Sequence, residues 1–537
     1  DHYARADNLV ASTRGGRANS PGFFSQTAGT NSNLDVTGLL NYSRALDRSG
    51  DLSLNVTLGY NNFTRTTRSV TGSPVGGIIV PEFYNLANSV QAPLASQSSS
   101  KYRIIGGFAN AQIGYQNRLF LEYSARNDWS STLPAENNSF FYQSVGVSSV
   151  VTDFFENRNE NIDYVKFRAS IGTTGKDAQL YALQSTFIGN PIFQPLANGR
   201  DLTFPLNGQA GITLGNSIGN PDLKPELTTT FEIGVDATLF KDRVDLAYTY
   251  YNSRHTNQLV EVSLPNSSGF TRTVRNLGEI SNQGHELSLT IRPIKGLVKG
   301  LTWDLDLIWS TNQNEVIEIL DPAVDGEELT LGTFGGVAVV AREGLPYGTF
   351  RGNVVATTDA GETIVDAQGL PIQTERPEDL GSYQPDWLGS VGSRIGYKGL
   401  VLNFLFDIRQ GGKFLSYTRD LTEFNGTALT TVEGGRDAFV VPNSVTEDED
   451  GNLVENTTMT NRYDFLRVQP FSSHLIDASF VKLREIGLTY NVPARFTEGI
   501  FISNLTVGLF ARNVMFWLPE ENVWADPEIN GPSLTGN

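Results

Sequence analysis

Few residues of this chain are spaced for covalent or metal chemistry. Cysteine is absent, which removes thiolate metal sites, disulfides and cysteine nucleophiles together. None of the four histidines, His2, His255, His285 and His474, has the second ligand at the four-residue spacing of a helical metal site. His285 sits among strand-like residues, where it reads as a lumenal or packing side chain. The acidic run Glu447-Asp448-Glu449-Asp450-Gly451-Asn452 invites a calcium-loop reading. With Gly451 at the sixth position, however, Thr446 and Thr457 fall at the first and twelfth, where acidic ligands are needed, so the run reads as a solvated loop. No P-loop, dinucleotide fingerprint or nucleophile elbow is present. Gly335-Gly336 reads as a turn into a short strand. The residues imply no cofactor and no enzyme.

Binding chemistry is better represented. Phe23, Phe24, Phe83, Tyr84, Phe334, Phe350, Tyr383 and Trp387 lie in or beside long stretches rich in Asn and Ser. Aromatic platforms beside amides suit sugar or peptide ligands, and the same residue types also pack large loops together. Phe334, Phe350, Tyr383 and Trp387 are the candidate substrate contacts. Forty Lys and Arg against 58 Asp and Glu give a net charge of −18, which argues against a nucleic-acid partner.

The elements that must position these residues show a period of two. In Phe231-Glu232-Ile233-Gly234-Val235-Asp236-Ala237-Thr238-Leu239 the odd-numbered residues are apolar and the even-numbered ones polar or small. Such a ribbon has one oily and one wet face. Roughly fifteen such stretches of about ten residues recur, nearer the 9–11 residues of a tilted membrane-spanning strand than the 5–6 of a soluble one. No apolar run approaches the ~20 residues of a membrane helix. The pattern predicts an all-β chain: a large antiparallel transmembrane barrel, its oily faces toward lipid. In 301–309 the Leu and Trp residues share the lipid side while Asp304 and Asp306 point inward. Tyr60, Tyr123, Tyr250, Tyr490 and Trp517 are expected at strand ends, as interfacial girdles. Val481 and Leu483 are out of phase with Ile486, Leu488 and Tyr490, which predicts a β-bulge near Arg484-Glu485. Lys482, Arg484 and Glu485 would be costly against lipid and are expected in the lumen or at the rim.

Connections set the topology. Short turns join 34–45 to 52–60, 104–115 to 119–125, 231–239 to 244–250, 287–291 to 301–309 (through Pro293 and Gly296), and 388–397 to 401–408. Long connections, expected to be structureless, cover 61–103, 173–227, 311–387 and 410–475. Strict alternation of short turns and long loops is the plan of a bacterial barrel, short turns in the periplasm and long loops outside. The last strand is expected at 505–513, followed by a loop-like ending at 533–537.

Several words of the sequence then form an ordered set. They are Arg126-Asn127-Asp128 before Ser130-Ser131; Lys166-Phe167-Arg168-Ala169-Ser170-Ile171-Gly172; Gly219-Asn220-Pro221-Asp222-Leu223-Lys224-Pro225-Glu226; and Asn276-Leu277-Gly278 leading to Asn282-Gln283-Gly284-His285-Glu286. After them come Ser479-Phe480-Val481-Lys482-Leu483-Arg484-Glu485-Ile486, Ala511-Arg512-Asn513 and Asp526-Pro527-Glu528. The set resembles the SusC/RagA branch of TonB-dependent outer-membrane transporters of Bacteroidota. That resemblance implies a barrel of 22 strands, a plug, and active import of an oligosaccharide or oligopeptide. It also implies a SusD-like surface lipoprotein and TonB-ExbB-ExbD as partners, the latter through a region N-terminal to the plug. Residues 1–537 are therefore expected to be a partial barrel domain in the outer membrane, with plug and final strand outside it and its leader already removed. A barrel scaffold in a surface or secretion assembly is the alternative function. A soluble glycan-binding β-protein is disfavoured by the strand lengths.

Overall fold

In the computed structural model one sheet of 15 antiparallel strands runs through the chain in sequence order. The structure describes residues 2–10, 23–156, 159–189, 192–196, 200–204, 206–295, 297–319, 328–497, 502 and 504–528, with the backbone alone for 2–10, 23, 192–196, 200–203 and 266. Gly296, the side chain of Phe23 and the expected 533–537 ending lie outside the described residues. The wall strands are β1 (His2–Val10), β2 (Phe23–Ala45), β3 (Leu52–Ile78), β4 (Ser89–Tyr115), β5 (Leu119–Ser130), β6 (Ser139–Val150), β7 (Ile162–Lys176), β8 (Glu226–Leu239), β9 (Val244–Thr256), β10 (Glu279–Ile291), β11 (Leu301–Glu318), β12 (Trp387–Tyr397), β13 (Leu400–Gln410), β14 (Phe480–Val492) and β15 (Leu505–Trp517).

Register carries the alternation from strand to strand. Ile171 lies opposite Phe231, Ile233 opposite Tyr250, and Tyr248 opposite Leu287, which in turn faces Trp309. The oily residues thus form a continuous band on one face. On the other face Thr238 donates to Asp245 at 2.9 Å, Arg292 to Asp245 at 2.6 Å, and Thr290 to Asp306 at 2.6 Å. This is the polar face that a barrel turns toward its lumen. Tight turns hold the hairpins. At Lys398-Gly399 both residues have positive φ, 49° and 91°, the I′ geometry whose twist matches the flanking strands.

Five expectations need correction. Residues 61–103 are no loop: β3 and β4, each 27 residues long, stay paired from Asn61↔Gly106 to Ile78↔Ser89. Their outer halves are rich in Ser, Thr and Arg on both faces, because beyond the bilayer both faces meet water and the period of two carries no signal. For the same reason Tyr60, Tyr123 and Tyr250 lie within strands rather than at their ends, as the strands overshoot the membrane. Alternation in length is not strict either: the β5–β6 connection on the long-loop end is only 131–138. Finally, the long connections carry small sheets, one of four strands within 328–382 and others within 187–276 and 363–477. The last wall strand also runs on to Trp517.

The expected bulge is present. Phe406 pairs with Leu483 and Leu405 with Glu485, leaving Arg484 unopposed. The slip keeps Leu483 and Ile486 on the oily face and puts Lys482 and Glu485, opposite Asp407 and Leu405, on the polar one. His285 lies on the oily side, within 6.5 Å of the rings of Tyr248, Tyr250 and Trp309 and 2.8 Å from the Tyr248 hydroxyl. Its role is therefore packing, not lumenal. No described helix is long and apolar enough to cross a membrane, which says nothing of strands.

Candidate functional site

The polar side chains converge at the long-loop end of β11–β15. Beyond the lipid-facing Trp309, β11 continues as Asn312, Gln313 and Asn314. Asn312 accepts a hydrogen bond from the Tyr251 hydroxyl at 3.0 Å, and Asn314 donates to Asn282 at 2.9 Å. Where β13 ends, Gly411 and Gly412 turn with φ of 78° and 79°. A Cβ on Gly411 would come within 2.3 Å of the Asp386 carboxylate, so only glycine lets these segments close. Arg409 donates to the Tyr383 carbonyl at 2.6 Å and fixes the same corner.

These segments enclose a polar cleft of about 770 Å³, lined by Asn312, Asn314, Gln384, Asp386, Lys413, Asp477 and Glu521 among others. Its last wall comes from the segment after β15, which folds back across the polar face. There Lys482, buried to 5 % side-chain exposure, holds Asp526 at 2.5 Å and Glu528 at 2.6 Å. Arg484 bridges Asp407 at 2.8 Å and also pairs with Glu528. Glu521 accepts from the Asp477 amide at 3.0 Å, while Trp524 and Ala525 pack on Phe414, Ile476 and Ala478. The bonds from Arg484 and Lys482 hold the Glu528 carboxyl below its ordinary range, against the upward pull of its partial burial.

Behind the cleft, helix α1 (Tyr417–Phe424), capped by Ser416, brings Glu423 to His474. Both are buried, with Nε2 to carboxylate 3.2 Å, and Arg419 and Thr430 complete the carboxylate's contacts at 3.2 Å. Burial alone would raise the Glu423 carboxyl; the bonds from His474 and Arg419 outweigh it and lower it.

The structure places Phe334, Phe350 and Tyr383 in one apolar assembly with Phe471. Phe350 is buried at 4 % exposure against Val337 and Val339. Phe334 meets Tyr417 and Phe471 edge-on at 5.0 and 5.3 Å, and Tyr383 lies against Gly348. Trp387 stands apart, at the start of β12. Phe24 packs edge-on against Tyr84 at 6.0 Å, and Phe83 is exposed. The polar cleft residues were missed by sequence reasoning. The amide run 312–314 directly after Trp309 was the usable signal, since it marks the passage from lipid to water. Near 447–452, Asp448 accepts from the amides of Asp450 and Asn452 at 3.0 and 2.8 Å, a self-capped turn. Among the described residues no cluster of His, Asp and Glu is arranged to hold a metal.

The sequence profile of the family described as TonB dependent receptor-like, beta-barrel matches residues 2–440. The chain belongs to the TonB-dependent receptor β-barrel family. TonB-dependent receptor P26 of Formosa agariphila is 26 % identical over 491 residues, covering 86 % of this chain and 46 % of that protein. TonB-dependent receptor SusC of Bacteroides thetaiotaomicron is 24 % identical over 224 residues, covering 41 % of this chain and 21 % of SusC. Among solved structures the RagAB peptide transporter superposes with a TM-score of 0.74 at 21 % identity, over 95 % of this chain and 54 % of that one. The chain thus spans less than half the length of these curated relatives. The chain is an outer-membrane protein of this receptor family, and its oily band is the lipid-facing surface of the barrel wall.

Proposed function

We propose that this receptor barrel is the wall and external mouth of an active importer for a large nutrient, an oligosaccharide or oligopeptide. The observation that carries this reading is the polar cleft at the long-loop end, whose Asn312 and Asn314 share a face of the wall with Asp306 and Thr290 further along the same strands. Such a surface can bind a hydrated oligomer and hand it inward. The kinship with SusC and with RagA, part of a peptide transporter, supports a SusD-like lipoprotein over the mouth. It also supports TonB-ExbB-ExbD as the source of energy, acting through a plug in the whole protein, of which this chain would be a partial barrel domain. Phe334, Phe350, Tyr383 and Trp387 then serve cargo by framing the loops that shape the cleft.

The test is deletion of the gene followed by growth and uptake on defined oligosaccharides and oligopeptides, with pull-down of associated lipoproteins from the parent strain. Loss of uptake of one oligomer class is expected. Unchanged uptake of every oligomer tested would replace import with the scaffold function.

A further inference from the structure

The negative charge of this chain is concentrated at one end. Residues 319–386 contain twelve acidic and three basic residues, and 411–479 contain eleven and five. These two loops therefore supply −15 of the net −18. Both connect wall strands at the cleft end. At the opposite end the turns 46–51, 116–118, 151–161, 240–243, 292–300, 398–399 and 493–504 together carry a net +3. Such asymmetry produces a field directed along the barrel axis, focused where charges line a concave, low-dielectric mouth.

The cleft follows the same sign. Its lining includes the carboxylates of Asp386, Asp477 and Glu521, and Lys413 is the one cationic residue among them. Two further lining residues, Asn312 and Asn314, each use one donor and one acceptor within the protein. A side-chain amide has two hydrogens and two lone pairs, so each keeps a donor and an acceptor of the kind that pairs with a peptide group.

We propose that the acidic mouth and its cleft select net-cationic oligopeptides, with peptide groups met by Asn312 and Asn314 and Lys or Arg side chains met by Asp386, Asp477 and Glu521. The assignment rests on the import reading and narrows its cargo. Natural peptides supply ammonium and guanidinium groups freely, whereas glycans are mostly neutral or acidic, and acidic ones would be repelled.

The experiment measures equilibrium binding to the full-length receptor in detergent. The ligands are short peptides in which the same positions carry Lys, Gln or Glu, together with neutral and uronate oligosaccharides of similar size. Affinity is expected in the order Lys, Gln, Glu. About a tenfold spread is expected at low ionic strength, collapsing at about 1 M, where the Debye length is only roughly 3 Å. The triple variant Asp386→Asn, Asp477→Asn, Glu521→Gln should shrink the spread. Because Asp477 also accepts from Ser479, a second variant guards against misfolding. Glu447→Gln, Glu449→Gln, Asp450→Asn on the exposed acidic hairpin should lower the association rate of the Lys peptide and its salt dependence. Equal affinity for Lys and Glu peptides, or the reverse order, would overturn the charge selection while leaving import intact. Binding of oligosaccharides but of no peptide would overturn the peptide assignment. Failure of the import reading shows separately, as unchanged uptake after deletion.

Discussion

The wall and the loop body of this protein are stable for opposite reasons. In the wall, apolar side chains such as Ile233 (47 % exposed) and Phe231 (43 % exposed) face outward. Cohesion there comes from the backbone ladder and from lipid, which must leave no backbone polar group unpaired. In the loops, apolar side chains turn inward: Val340 and Ile476 are at most 1 % exposed, and Phe350 is 4 %. That is a soluble protein's solution, several small cores under a polar skin. One chain therefore contains two folding problems, and mutations should sort by region.

The largest effect is expected from Phe350→Ala. Truncating a buried Phe costs about 3–5 kcal/mol, and the assembly it leaves is small. Limited proteolysis of the purified receptor should show new cuts within 319–386, while the heat-modifiable electrophoretic shift of the folded barrel persists. Loss of both together would show that the loop body and the wall fold as one unit. The reciprocal test is Ile233→Arg on the lipid face near the middle of β8. A cation there costs roughly 2–4 kcal/mol in a barrel wall, and the heat-modifiable form should decline. The same Arg at Thr249, on the polar face, should be tolerated far better; equal damage would refute the assignment of faces.

How much of this was legible follows the same division. Within the bilayer one face is oily and the other wet, so Phe231 to Leu239 announced its strand, its facing and its partner. Beyond the bilayer both faces are wet, so the outer halves of β3 and β4 carry no period-two signal and read as a loop. The bulge at Arg484 was legible because apolar residues on both sides of it fell out of phase. The cleft was not, because Asn312, Asp386, Asp477 and Glu521 come from distant segments joined only by the fold. Asp526-Pro527-Glu528 was recognisable as a word, yet its task of pinning a strap to Lys482 is a tertiary fact. Phe350 was singled out for its type, and type alone does not separate a platform from a core.

The strap after β15 joins the two regions, and Lys482→Met tests the joint. The substitution keeps the packed stem and removes the charge shared by Asp526 and Glu528. Losing hydrogen bonds to a charged group costs about 1.5–3 kcal/mol, and the partial exposure of these carboxylates puts the effect at the low end. Hydrogen exchange should accelerate at 519–528 while β10 to β13 stay protected. Protection unchanged in the strap would mean that Trp524 packing holds it without the ion pairs.

The smallest effect is the pH dependence of the same joint. Glu528 is held below its ordinary value of 4.5 by Arg484 and Lys482. A depressed native pKa means the unfolded or detached state binds more protons at intermediate pH. Its contribution is therefore complete above the ordinary glutamate range and is lost only as pH falls through the lower native value. Strap protection should be flat across neutral pH and decline in acid, and Glu528→Gln should remove that acid-dependent part. Glu423 is depressed as well, by His474 and Arg419, so the loop core should weaken over the same acidic interval. Measuring exchange at 417–424 and at 519–528 in one titration separates the two. If Glu528→Gln left the strap's acid response intact while Glu423→Gln abolished it, the loop core, rather than the salt bridges to Lys482 and Arg484, would be what holds the strap across the mouth.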